Sequence, residues 1–171
     1  VLGFYISLTA LVLALTGLVW GFQWFASAVY GAAGGEKSLV YQEPASIHQK
    51  TEYPGGSPTH AGITHPVDRL WQQMQQEYKK AASIEMHFPH ADTSSLYVTI
   101  RKKEGTWWET DYRYFDQYTF EEIEPDHLWG RFENASAADK LIRMNYDIHV
   151  GAILGLPGKI LMFFTSLCVA S

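Results

Sequence analysis

The sequence predicts an α+β unit, one helix against an antiparallel sheet, set between two transmembrane helices. Three observations predict it. From Val1 to Gly35 there is no charged residue, a run longer than the about 20 apolar residues that cross a bilayer core as a helix. All 18 acidic residues and 12 of the 13 basic ones lie between Glu36 and Asp147. Beyond His149 only Lys159 is charged, in an apolar tail that runs to Ser171.

These observations divide the chain into a transmembrane helix (1–31), a flexible connector (32–66), the α+β domain (67–147) and a second transmembrane helix (148–171). There is no initiator methionine, and residue 1 already lies inside an apolar run. The chain therefore reads as an internal piece of a larger polytopic membrane protein, with the lipid bilayer and other transmembrane helices of that protein as partners. A signal peptide would begin with basic residues and have a shorter apolar core. The middle segment carries 12 basic against 18 acidic residues, a net of −6, which disfavours nucleic acid as a partner. The single Cys168 excludes an internal disulfide framework. Composition leaves open which side of the membrane the middle faces.

Taken in order, "LVLALTGLVWGFQWFASAVYG" reads as a helix through about residue 30, with Trp20, Trp24, Phe25 and Tyr30 placed for an interfacial aromatic belt. Gly17 and Gly21 have the small-xxx-small spacing that admits a neighbouring helix. "GAAGGEKS" and "EYPGGSPTHAG" are rich in turn formers. His48, His60 and His65 in this connector lack the fixed spacing of a metal ligand set. "VDRLWQQMQQEYKKAA" places Val67, Leu70, Trp71, Met74 and Tyr78 on one helical face, which assigns Trp71 and Met74 to core packing.

Strands follow. In "SIEMHF" and "LYVTIR" apolar residues alternate with polar ones, "KKEG" supplies a turn, "TWWETDYRYF" gives a third strand with aromatics on both faces, and "QYTFEEI" a fourth. His87 and His90 bracket Phe88-Pro89 and read as surface residues. Ser136 and Asp139 have capping-box spacing for a last helix leading to Tyr146 and His149, with Asp where Glu or Gln is usual.

His149 stands at the crossing into apolar chain. "GAILGLPGK" is a poor continuous helix, and Pro157 suits the first turn of a new one. His149 then sits at or just above the membrane surface, with Lys159 near the boundary and able to snorkel. An imidazole there suits axial ligation of haem iron: the flanking glycines leave room for a flat macrocycle, and Lys159 is placed to meet a propionate. The plain alternative is an interfacial histidine bonded to headgroups or to a neighbouring helix.

Together, "LVLALTGLVWGFQWF", "YRYFDQYTFEEIE" and "RMNYDIHVGAILGLPGKILMFFTSL" resemble the PepSY-associated transmembrane protein family of bacterial inner membranes. The loop from Glu36 to Pro66 carries none of the resemblance. PepSY-type domains are α+β and often end with an Asp-x-x-Thr-Gly turn; here Asp116 and Thr119 match it, and Phe120 stands in place of the glycine. The resemblance implies an iron-regulated protein of the bacterial cytoplasmic membrane with its α+β domain in the periplasm. Some relatives resemble reductases that carry haem b and release iron from ferric siderophores. Their haem ligands are histidines at span ends, and the matching position is His149.

Two functional expectations follow, beside the blander one of a structural membrane segment within a larger assembly. One is haem-linked electron transfer to ferric siderophores, with His149 as iron ligand and Lys159 as propionate partner. The other is a binding or regulatory module that restrains a peptidase or holds a peptide or siderophore on Trp107, Trp108, Tyr112 and Tyr114. Hydrolysis is not expected, because there is no nucleophile elbow, HExxH or phosphate-cradling glycine loop.

Overall fold

The computed structural model describes residues 2–47 and 66–170. The connector histidines His48, His60 and His65 lie outside the described residues. The fold is α+β, with five helices and a four-stranded antiparallel sheet among the described residues. It separates into two compact units, one of residues 37–102 and 110–134, the other of residues 1–36, 103–109 and 135–171.

The first unit is built on the sheet β1 (Ser83–His87), β2 (Leu96–Arg101), β3 (Asp111–Phe115) and β4 (Glu122–Ile123), paired in that order. The register sets Ile84 opposite Ile100, Met86 opposite Val98 and Leu96 opposite Phe115. Because alternate residues share a face, these side chains form one apolar surface. The helix of Pro66–Glu77, here α3 in chain order, covers it with Leu70 and Met74. Burying each Leu, Ile or Val of this core contributes about 1.5–3 kcal/mol. Arg113 also lies on this face, beside Met74, and donates to Glu77 at 2.7 Å and to both oxygens of Glu122. Glu122 also receives two hydrogen bonds from Arg131. The two guanidinium groups hold the Glu122 carboxyl well below the usual carboxylate range, at about 2.

The turn after β3 is organised by Asp116. Its buried carboxylate accepts the backbone N–H groups of Tyr118 and Thr119 on one oxygen and that of Ile47 on the other. Phe120 closes the turn in the left-handed region at φ 61°. Glycine is absent from its usual place, but the backbone conformation that favours glycine is kept.

The second unit contains α1 (Leu2–Gly21), α2 (Gln23–Ala32), α4 (Ala137–His149), α5 (Gly155–Ala170) and the turn of residues 103–109. The apolar helix predicted through residue 30 is interrupted at Phe22, whose backbone is extended at φ −135° and ψ 107°. The interruption leaves α2 free to pack Tyr30 on α4, where its hydroxyl donates to Asp139. Asp139 is buried and also completes the capping box, accepting from Ser136 N while the Ser136 hydroxyl accepts from Asp139 N. Gly3–Gly21 and Ala152–Ala170 are long and apolar enough to cross a bilayer.

Between α4 and α5 the chain turns on glycines. Gly151 is left-handed at φ 72°, one 3-10 turn follows at Ala152–Leu154, and Gly155 has φ 67°. α5 then begins with Pro157 in its first turn, where the missing N–H has no intrahelical partner to lose. A Cβ on Gly151 would fall 2.2 Å from the carbonyl oxygen of Gly158, and a Cβ on Gly158 equally close to that of Gly151. The two backbones therefore cross in contact.

Candidate functional site around His149

His149 ends α4 and lies against α1. Its Nδ1 is 2.8 Å from the hydroxyl of Thr16, its ring centroid 5.1 Å from that of Trp20, and a Cβ on Gly17 would meet its Cε1 at 3.8 Å. One helical turn earlier on α4, Asn145 donates its side-chain amide to the backbone carbonyl of Thr16 at 3.0 Å. α4 thus clasps Thr16 at two points with residues spaced i, i+4, which share a helix face. Tyr146 extends the cluster, its ring 5.6 Å from Trp20.

The hydrogen-bond network assigns the tautomer. A threonine hydroxyl has one proton, and that of Thr16 donates to the carbonyl of Val12 at 2.7 Å. Both contacts are satisfied together when the Thr16 oxygen accepts from His149 Nδ1–H, the tautomer that leaves Nε2 with its lone pair. No hydrogen bond to Nε2 forms among the described residues. Metal-ligating histidines commonly hold one ring nitrogen in this way, which orients the ring and presents the other nitrogen to the metal. A metal bound here would be held through Nε2.

The space around it differs from the sequence expectation. Gly151 and Gly158 do not leave room for a macrocycle, because each is filled by the backbone of the other. On the α1 side, Gly17 presents no side chain to the imidazole and Trp20 is exposed. Thr16 precedes the end of α1 at Gly21 by about 7.5 Å at 1.5 Å per residue, so the imidazole stands beside the apolar Gly3–Gly21 segment short of its end.

Lys159 is exposed in the first turns of α5, and its neighbour is the 103–109 turn: its Nζ would stand 3.5 Å from a Cβ on Gly105. His149 and Lys159 thus face different partners, α1 for the histidine and the turn for the lysine. No cluster of three or more His, Cys, Asp or Glu suited to a metal occurs among the described residues.

Of the four aromatics expected on one sheet surface, two lie off the sheet and one is buried. β3 begins only at Asp111, and Trp107 and Trp108 lie in the preceding turn because Oδ2 of Asp147 accepts both of their backbone N–H groups at 2.8 Å. Tyr114 is on the sheet but fully buried, beneath His127 and beside Tyr97. Burial pushes the His127 imidazole down from its ordinary pKa. Tyr112 lines a cleft of about 220 Å³ with Lys37, Glu122 and Arg131, smaller than the about 300 Å³ lower bound for drug-sized ligands. His87 is stacked on Tyr97 at 4.2 Å, and His90 is exposed.

Sequence reasoning passed over Thr16 and Asn145. A signal was present for the first: Thr9 and Thr16 are two polar residues seven apart in an uncharged span, and hydroxyls in a span commonly bond across helices. Thr9 does so as well, with Thr165 of α5 at 2.8 Å.

No curated protein matches the chain. The sequence profile of the PepSY-associated TM region matches residues 1–171, including the Glu36–Pro66 loop that carried no visible resemblance. With two apolar helices of spanning length and a small α+β unit between them in sequence, this chain is a membrane protein of the PepSY-associated transmembrane family.

Proposed function

We propose that the protein takes part in iron acquisition by passing electrons through haem b to ferric siderophores. In this reading it lies in the bacterial cytoplasmic membrane, with its α+β unit in the periplasm. The supporting observation is the 2.8 Å contact of His149 Nδ1 with the Thr16 hydroxyl, which engages one ring nitrogen and leaves Nε2 as the one to meet iron. Bound haem would supply one-electron chemistry. The chain's own residues orient the ligand: Thr16 and Asn145 hold α4 to α1, and Trp20 packs against the imidazole.

The test is a visible spectrum, oxidised and dithionite-reduced, of the full-length parent protein in detergent beside its His149→Ala variant. The expected result is a sharp Soret and α-band in the parent that is lost or shifted in the variant. Adding a ferric siderophore to the reduced parent should then reoxidise the α-band. A folded parent without haem absorbance, purified from haem-supplemented cells, would overturn the reading and favour a binding or regulatory role.

A further inference from the structure

The turn of residues 103–109 has a position in depth that can be worked out from the helices. Within this unit α4 and α5 run antiparallel to α1 and α2, through the contacts Tyr30 to Asp139, Thr16 to His149 and Thr9 to Thr165. Seven residues separate Thr9 from Thr16, and seven separate Gly158 from Thr165. Helical rise is equal on both sides, so Gly158 and Lys159 lie level with Thr16. The residues between Gly151 and Gly158 are an excursion whose two ends touch. From that level the Lys159 side chain, about 6 Å long, reaches Gly105. The turn therefore lies at the depth of Trp20 and Gly21, the end of the first apolar window.

The turn is also held firmly. Asp147 is fully buried, and one of its oxygens accepts the backbone N–H of both Trp107 and Trp108. This clamp pins the turn to α4 two residues before His149. It leaves the Trp107 indole 46% exposed, an aromatic side chain at the level where interfacial tryptophans gather.

We propose that the 103–109 turn is a lipid-surface contact, with the Trp107 indole seated in the headgroup layer and Lys159 meeting lipid phosphate beneath Gly105. A cation near an anionic bilayer surface contributes about 1 kcal/mol of attraction, and an indole is suited to a layer apolar below and wet above. The contact holds α4, and with it His149, at a set depth. It does not depend on haem.

The test uses the full-length parent in vesicles of phosphatidylethanolamine and phosphatidylglycerol whose acyl chains carry bromine either near the headgroup or near the methyl end. The Trp107 signal is the difference between the parent and its Trp107→Phe variant. The expected result is strong quenching by shallow bromine, weak quenching by deep bromine, and protection from aqueous iodide. A second measurement avoids altering Trp107: in Cys168→Ser protein, a nitroxide placed through Glu104→Cys should relax with both oxygen and a water-soluble nickel chelate, as headgroup sites do. Quenching of Trp107 by iodide and not by bromolipid would overturn the proposal. So would protection from every quencher, which would mean that protein covers the turn, or a nitroxide that responds to the nickel chelate alone.

Discussion

The hydroxyl oxygen of Thr16 stands 2.8 Å from Nδ1 of His149, while its own proton goes to the carbonyl of Val12 at 2.7 Å. A residue of the first span thereby sets the proton position of a ring 133 positions later in the chain. Replacing Thr16 by valine keeps the shape and removes the acceptor. Nitrogen NMR of histidine-labelled protein, assigned by difference from His149→Gln, should show an unprotonated Nε2 in the parent and in Thr16→Ser. In Thr16→Val the Nδ1–H preference should be lost, with a stability cost of about 0.5–1.5 kcal/mol. An unchanged tautomer in Thr16→Val would remove Thr16 from the site. The haem spectrum tests the cofactor reading separately.

The excursion between α4 and α5 should tolerate no side chain at Gly158. A methyl group there would overlap the carbonyl of Gly151, and backbone atoms cannot turn aside as side chains do. Gly158→Ala is expected to cost at least about 2 kcal/mol by overpacking, read as a lower thermal midpoint in detergent. Gly21→Ala, at a position with open space around it, should leave stability unchanged or slightly raised, because alanine is the better helix former. Equal effects of the two would sink the close-crossing account.

Phe120 carries two opposed effects. Its left-handed backbone costs about 1–2 kcal/mol relative to glycine, and its half-buried ring packs against the core of Leu70, Val98 and Phe115, worth about 1–1.5 kcal/mol. Phe120→Gly relieves the first and forfeits the second, so stability should change by less than about 1 kcal/mol. Phe120→Ala forfeits the ring and keeps the strain, and should fall below Phe120→Gly in urea unfolding of the same protein. The reverse order would mean that the left-handed backbone at this position holds no strain for glycine to relieve.

Glu122 should make the α+β unit sensitive to acid. Its pKa is depressed from 4.5 to about 2 by Arg113 and Arg131, so the folded state binds its proton more weakly than the unfolded chain. The stabilisation is therefore full above pH about 4.5 and is lost as pH falls toward about 2. Near-ultraviolet circular dichroism through that window should show tertiary structure failing at higher pH in Glu122→Gln than in the parent. At neutral pH the same substitution should cost about 1–3 kcal/mol, since among the described residues buried Arg113 keeps only Glu77 as an anionic partner.

Local pattern and tertiary contact divided the determination of this protein. The apolar runs marked both spans, alternation marked the sheet strands down to the limits of β2, and Ser136 with Asp139 marked the start of α4, because each rests on periods of two or 3.6 residues or on neighbours three apart. The family was legible in the same local segments. Contacts between distant residues were not. The break of the first helix at Phe22, which accompanies the contact of Tyr30 with Asp139, left no local mark. That Trp107 and Trp108 would lie in a turn follows from Asp147, and that glycines 151 and 158 would meet follows from the chain doubling back on itself. The clasp of Thr16 by Asn145 and His149 belongs with these. A hydrogen bond between residues far apart in sequence leaves no period to read, because it is the packing of whole helices that brings donor and acceptor together.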